Sequence, residues 1–257
     1  MKSDYVVEIL TPKLSSDMFE SELAVLGERY RQVMDAGYVV SVPDNPMGIP
    51  RFQIAEVIEE FKLPVYSDQL LMHINTFHTM SHLDSILAAA GPLGIRNLLI
   101  VSGDGDERLS RLEPKDLGSS AVTATSVELI EYILRHYPKS FSCGVAFNSY
   151  EPREQELRKL RRKIEAGAQF VATQPIFGPD ENTSVLEQFG LPVFVGVWMS
   201  KNLNLLAQCL GKDVLDVSSL DPFESVARVR ASYPQHGLYV SMLGFKTQWS
   251  RLQQVLQ

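Results

Sequence analysis

The sequence predicts an α/β chain closed into a (β/α)8 TIM barrel, and three observations carry that expectation. Short β-branched runs alternate with helical patterns along the chain, as parallel β-α units require. Eight strand candidates can be counted, the number that closes a barrel. At 257 residues and 45% hydrophobic content the chain matches one barrel of about 250 residues, read as a single domain over 1–257.

Taken in order, the first strand is Tyr5 to Leu10, and a helix follows over Asp17 to Ala36. The next pairs are Tyr38 to Val42 with Pro50 to Phe61, Leu70 to Asn75 with Ser81 to Ala90, and Asn97 to Val101 with Ser126 to His136. The fifth strand, Ser140 to Phe147, leads to a helix over Arg153 to Ala166, where Leu157, Leu160 and Ile164 share one face among charged neighbours. Gly167 supplies the left-handed stop that a helix end favours. The sixth strand, Phe170 to Thr173, then hands over to Gln174, and a helix is expected over Glu181 to Phe189. Val193 to Val197 and a helix at Leu203 to Leu210 follow. A helix at Pro222 to Tyr233, the eighth strand Gly237 to Met242 and a last helix at Thr247 to Leu256 complete the chain. A doubly wound open sheet is the alternative, and it would leave some of these strands unused.

Composition excludes several classes. A net charge of −7 argues against a nucleic-acid surface, and the basic run Arg158 to Lys163 reads as the solvated side of its helix. The two cysteines, Cys143 and Cys209, have neither the number nor the spacing for a disulfide framework or a zinc site, which fits a reducing cytoplasm. The start, MKSDYVVEIL, is too short and too acidic for a signal peptide, and no apolar run reaches the roughly eighteen residues of a membrane span.

A barrel puts its chemistry on the loops after its strands. The polar residues there are Glu8, Asp44 and Asn45, His73 and Asn75, Gly103 and Asp104, Asn148, and Gln174. Each has a plainer reading. Glu8 could face outward or sit in a salt bridge, and His73 reads more readily as a hydrogen-bonded core histidine than as a ligand. Asp44-Asn45-Pro46 reads first as a turn, and Ser102 to Asp106 as a tight solvated loop whose glycines match neither phosphate-binding fingerprint. His78 and His82 without partners at metal spacing make a weak zinc case, and no arrangement supports covalent nucleophilic catalysis.

Several ordered motifs together resemble the methylenetetrahydrofolate reductase family. Gly167-Ala168 to Gln174 with Pro175-Ile176-Phe177 resembles its Ala-Gly-Ala…Thr-Gln-Phe-Phe-Phe segment, and Gly94-Ile95-Arg96 with Gly103-Asp104 its Gly-Ile-Arg…Arg-Gly-Asp. Val7 to Pro12 resembles its Phe-Glu-Phe-Phe-Pro-Pro opening, and Met72-His73-Ile74 its Pro-His-Leu. The resemblance implies a barrel that reduces 5,10-methylenetetrahydrofolate to 5-methyltetrahydrofolate with FAD and with NAD(P)H as electron donor. It makes Glu8 the general acid at N10, Asp104 a group near flavin and pterin that stabilises the cationic iminium, and Gln174 the amide that holds the pterin. His73, Gly103, Glu156 and Lys163 fall on flavin-contacting positions, Ser102 and Thr123 occupy others with changed side chains, and Ala124 matches the alanine of the family's Tyr-Ala-Ser segment.

The departures lie on the cofactor side. Ser102 replaces an arginine, Thr123 a tyrosine, Glu151 falls near a histidine position, and Leu243-Gly244 stand where Asn-Arg is expected. Flavin bound differently, or direct transfer from a nicotinamide, both remain open. So do a folate-dependent C1-transfer enzyme and a non-catalytic reductase-like subunit, and a homo-oligomer or a partner electron-transfer protein is not decided by these residues.

Overall fold

The computed structural model describes residues 1, 3–105, 109–210 and 221–256. All eight strands form, and they close in sequence order: β1 (Tyr5–Glu8), β2 (Val39–Val42), β3 (Leu70–Ile74), β4 (Asn97–Ile100), β5 (Ser142–Phe147), β6 (Phe170–Pro175), β7 (Val193–Trp198) and β8 (Gly237–Ser241). Every neighbouring pair is parallel, and β1 returns to β8 with Val6 opposite Tyr239. The open-sheet alternative is thereby excluded.

Outside the barrel lie α1 (Phe19–Asp35), α2 (Ile54–Phe61), α3 (Met80–Ala90), α4 (Ser126–His136), α5 (Arg153–Glu165), α6 (Glu181–Ser184), α7 (Leu203–Leu210), α8 (Pro222–Ser232) and α9 (Phe245–Leu256). Their apolar faces and the outward strand residues make the main core, which includes Val7, Val40, Met72, Leu157 and Leu160. Local chemistry fixes the helix ends. Thr125 and Glu128 form a capping box at the start of α4. Gly167, at φ +113°, ends α5 as expected, with the Ala168 amide bonded back to the Lys163 carbonyl at 3.0 Å. The helix expected over Glu181 to Phe189 divides instead into α6 and a 3-10 turn at Val185–Phe189. Ser184 Oγ bonds back to the Asp180 carbonyl at 2.9 Å, a local bond that competes with a continuous helix.

The barrel interior is filled rather than open. Val6, Val39, Leu71, Leu99, Phe170, Ala172, Phe194 and Tyr239 pack together as a separate cluster of inward residues. Gly144 leaves room for Phe170 and Gly237 for Phe194, since an added Cβ would stand 2.0 and 2.5 Å from those rings. Polar groups therefore collect above this plug, at the carboxyl ends of the strands. Among the described residues no helix is long and apolar enough to cross a membrane.

Candidate active site

Glu8 lies two residues beyond the inward Val6, so strand alternation turns its carboxyl into the barrel mouth rather than outward. The Tyr239 hydroxyl donates to Glu8 Oε2 at 2.9 Å. Ser41, opposite Glu8 on β2, places its Oγ 2.9 Å from both the Tyr239 oxygen and His73 Nε2. The Tyr239 oxygen and His73 Nε2 are themselves 3.1 Å apart. Four strands thus contribute one closed polar cluster.

Burial pushes the Glu8 carboxyl up to about 7, although the Tyr239 hydrogen bond and the Arg51 charge pull it back. Burial pushes the His73 imidazole down to about 4, against the charge of Asp44. His73 is therefore neutral at pH 7, while Glu8 titrates there. A carboxyl that can hold a proton near neutrality beside a strand end is suited to general acid work.

A second cluster stands beside the first. Asp44 is buried and more than a turn residue: its Oδ2 accepts from His78 Nε2 at 2.7 Å and from the Asn75 amide at 3.0 Å, and its Oδ1 from Gln53 Nε2 at 3.2 Å. His78 Nδ1 faces His82 Nδ1 at 3.1 Å, so both its nitrogens are engaged within the protein. Among the described residues no group of three side chains is placed to hold a metal ion. This cluster ties the loop after β2 to the start of α3.

Gln174 is delivered by a distortion of β6. The register against β7 shifts between Ala172 and Pro175, and Pro175 has no amide to offer the ladder. Gly196 allows the approach, because a Cβ there would lie 2.6 Å from the Thr173 carbonyl oxygen and 2.8 Å from Gln174 backbone carbon. Its amide donates to Thr173 Oγ1 at 2.9 Å. The Gln174 side chain, half-buried at the strand end, has no hydrogen-bond partner among the described residues.

Asp104 is exposed on the loop after β4, which packs on the loop after β2: a Cβ at Gly48 would meet the Asp104 carbonyl oxygen at 3.0 Å. Cys209 of α7 feels both Asp104 and Glu8. Burial raises its thiol first, and the charges of both Asp104 and Glu8 raise it further, so the two carboxylates act on one atom. On the far side of the mouth, Leu206 and Leu210 of α7 bury against Trp198, with Tyr150, Phe177 and Met242 packed around them. The mouth thus has a polar cluster on β8, β1, β2 and β3 and an apolar wall on β7 and in the segments that follow β5, β6 and β8.

The residues at flavin-related positions are arranged differently. His73 is committed to Ser41 and Tyr239. Lys163 departs from the solvated face expected for its basic run: its Nζ donates to the Ala146 carbonyl at 2.7 Å, and burial lowers its proton affinity. Glu156 accepts from the Asn148 amide at 3.1 Å and pairs with Lys159 at 3.1 Å. Gly103, at φ +84°, is closed over Phe77 and Asn75, where a Cβ would come within 2.9 and 3.0 Å. Ser102 is exposed, with its carbonyl accepting from Thr76 Oγ1 at 2.7 Å. Thr123 is exposed, and Ala124 is buried with its carbonyl accepting from Arg111 at 3.2 Å.

Ser41 and Tyr239 were not singled out by sequence reasoning. Both sit in strands buried on both faces, where no polar alternation marks the inner side. The available signal was register alone: once β1 is paired with both neighbours, Ser41 must face Glu8 and Tyr239 must face Val6.

Comparison with known proteins bears on fold and family. In overall structure the chain is similar to 7,8-dihydropteroate synthase from Vibrio fischeri, with a TM-score of 0.52 and 13% identity over 98% of this chain and 90% of that one. It is also similar to 2,3-dimethylmalate lyase of the PEP mutase/isocitrate lyase superfamily, with a TM-score of 0.51 and 10% identity over 96% of this chain and 78% of that one. Such likenesses establish the barrel and nothing finer. A comparison with curated proteins gave no sequence match. The family model for methylenetetrahydrofolate reductase, however, matches residues 3–207, which hold Glu8, Asp104 and Gln174, and the chain belongs to that family.

Proposed function

We propose that this protein reduces 5,10-methylenetetrahydrofolate to 5-methyltetrahydrofolate, taking the hydride directly from NADH or NADPH. The observation that carries the reading is the Glu8 carboxyl, held in the barrel mouth and pushed up to about 7. A protonated Glu8 would give its proton to N10 as the bond from N10 to the bridging carbon breaks and its electron pair passes to N10. The bridging carbon, left as an iminium on N5, would accept hydride from the reduced nicotinamide to become the methyl group, and Glu8 would regain its proton from solvent. Asp104 supports this step because a carboxylate in the same mouth favours the cationic iminium over the neutral ring. Gln174, whose amide has no partner among the described residues and offers both a donor and an acceptor, suits the edge of a pterin.

The flavin that the family generally uses would supply an intermediate hydride carrier when bound. The residues at its positions fit it poorly: His73, Glu156 and Lys163 spend their polar atoms on Ser41 and Tyr239, on Asn148 and on Ala146. The test is an anaerobic assay of protein purified without added flavin. The reading expects a colourless protein that oxidises NAD(P)H only when methylenetetrahydrofolate is present. Folate binding without consumption of reductant would point instead to a C1-transfer enzyme.

A further inference from the structure

Tyr239 has no role in the reaction just described, yet its hydroxyl donates to Glu8 Oε2 at 2.9 Å. It stands on the seam where β8 meets β1, buried among Val6, Val39 and Phe194. We propose that Tyr239 is the positioning residue for Glu8: its hydroxyl, oriented by Ser41 and His73, holds Oε2 by donating to it and leaves Oε1 for the substrate nitrogen. The inference rests on Glu8 being the proton donor of the proposed reaction.

The hydrogen-bond inventory supports it. When Glu8 is a carboxylate, Tyr239 must donate to it, so the Tyr239 oxygen can only accept from its other neighbours. Ser41 Oγ at 2.9 Å and His73 Nε2 at 3.1 Å are both placed to donate there. Neutral His73 with its proton on Nε2 can also donate to Ser41 at 2.9 Å, and every bond in the cluster then points toward Glu8. Bonds aligned head to tail polarise one another, so Ser41 strengthens the Tyr239 donor. When Glu8 is protonated on Oε1 the same bonds persist, because Oε2 then remains a carbonyl oxygen that accepts from Tyr239. The cluster thus accommodates both states of Glu8 without leaving a buried group unpaired.

The charged and titratable groups facing this cluster are few. Arg51 acts on Glu8 from the segment before α2, Asp44 acts on His73 from the loop after β2, and Cys209 of α7 lies within range of Glu8. Among the described titratable groups, Tyr239 is the one hydrogen-bonded to the Glu8 carboxylate, and a bond to the charged form favours that form. Tyr239 itself does not ionise in the working range, since burial and the neighbouring Glu8 charge raise its phenol well above its ordinary value.

The test titrates the Glu8 carboxyl by 13C NMR in glutamate-labelled protein without substrate, the signal being assigned by its loss in Glu8→Gln. Tyr239→Phe should move the midpoint upward by about one pH unit, a tenfold gain in proton affinity, and Ser41→Ala should move it upward by less. The basic limb of kcat/KM should shift with it, a response that loss of packing alone would not give. An unchanged or lowered midpoint in folded Tyr239→Phe overturns the proposal. If that variant does not fold, the absence of an upward shift in Ser41→Ala overturns it instead. Because the titration needs no turnover, a wild-type protein without reductase activity would remove the reaction while leaving this shift readable.

Discussion

Lys163 Nζ donates to the Ala146 carbonyl at 2.7 Å, joining the solvent-side helix α5 to the middle of the β5 rim. At the sequence level this lysine was the far end of a basic run and a flavin position. In the fold its amine is turned inward, with 14% of the side chain exposed, and stands 3.9 Å from Glu156. Its bond serves the wall of the barrel.

Lys163→Met should therefore act on stability. Removing the amine leaves the Ala146 carbonyl without its donor and should cost about 1 to 3 kcal/mol. Chemical denaturation would show the loss, and the affinity for added FAD should not change. Weaker binding of added FAD with unchanged stability would return Lys163 to cofactor binding.

Glu8→Gln should lower turnover far more than folate affinity, because an acid acts mainly in the transition state. In the wild type, kcat/KM should fall with a midpoint at about pH 7 as Glu8 loses its proton. A variant as active as the wild type removes Glu8 from the mechanism.

The same carboxyl leaves a mark on stability. Its folded value, about 7, exceeds its ordinary 4.5, so the native state holds the proton more tightly and loses stability as pH rises from about 4.5 to 7. His73, lowered from 6.5 to about 4, has the opposite sign: stability is gained as pH rises from about 4 to 6.5. The two slopes largely cancel in the wild type. In Glu8→Gln only the histidine slope remains, so the variant should gain up to about 3 kcal/mol on the wild type between pH 4.5 and 8. Denaturant titrations at those two pH values check the sign, and parallel curves would show that Glu8 is not held as described.

Gln174 depends on Gly196. Gly196→Ala would drive a Cβ into the Thr173 and Gln174 backbone at 2.6 to 2.8 Å, where no flexible side chain can give way. It should destabilise the fold by about 1 to 3 kcal/mol and weaken folate binding as Gln174→Ala does, by about 1 to 3 kcal/mol. Isothermal titration with tetrahydrofolate measures both variants, and unchanged affinity in Gln174→Ala would place that residue outside the pocket.

The barrel was legible because its signals are local. Each strand is a short β-branched run, and Gly167 marks a helix boundary in the sequence itself. Glu8 and Gln174 were legible too, as polar residues ending apolar strands. What escaped depends on contacts distant in sequence. Tyr239 reaches Glu8 across 231 residues, and only closure of the barrel brings them together. The inward turn of Lys163 and the burial of Asp44 are likewise set by neighbouring elements, and helical periodicity or turn chemistry cannot report them. Asp106, the end of the Ser102 to Asp106 run, lies outside the described residues.

Direct hydride transfer is the claim most open to decisive measurement. Protein free of added flavin, given methylenetetrahydrofolate and NAD(P)H deuterated on either face of C4 in ordinary water, should yield 5-methyltetrahydrofolate carrying the deuterium in its methyl group for one of the two faces. A methyl group without deuterium from both, as exchange at a flavin N5 would give, or a reaction that starts only when FAD is added, would contradict it.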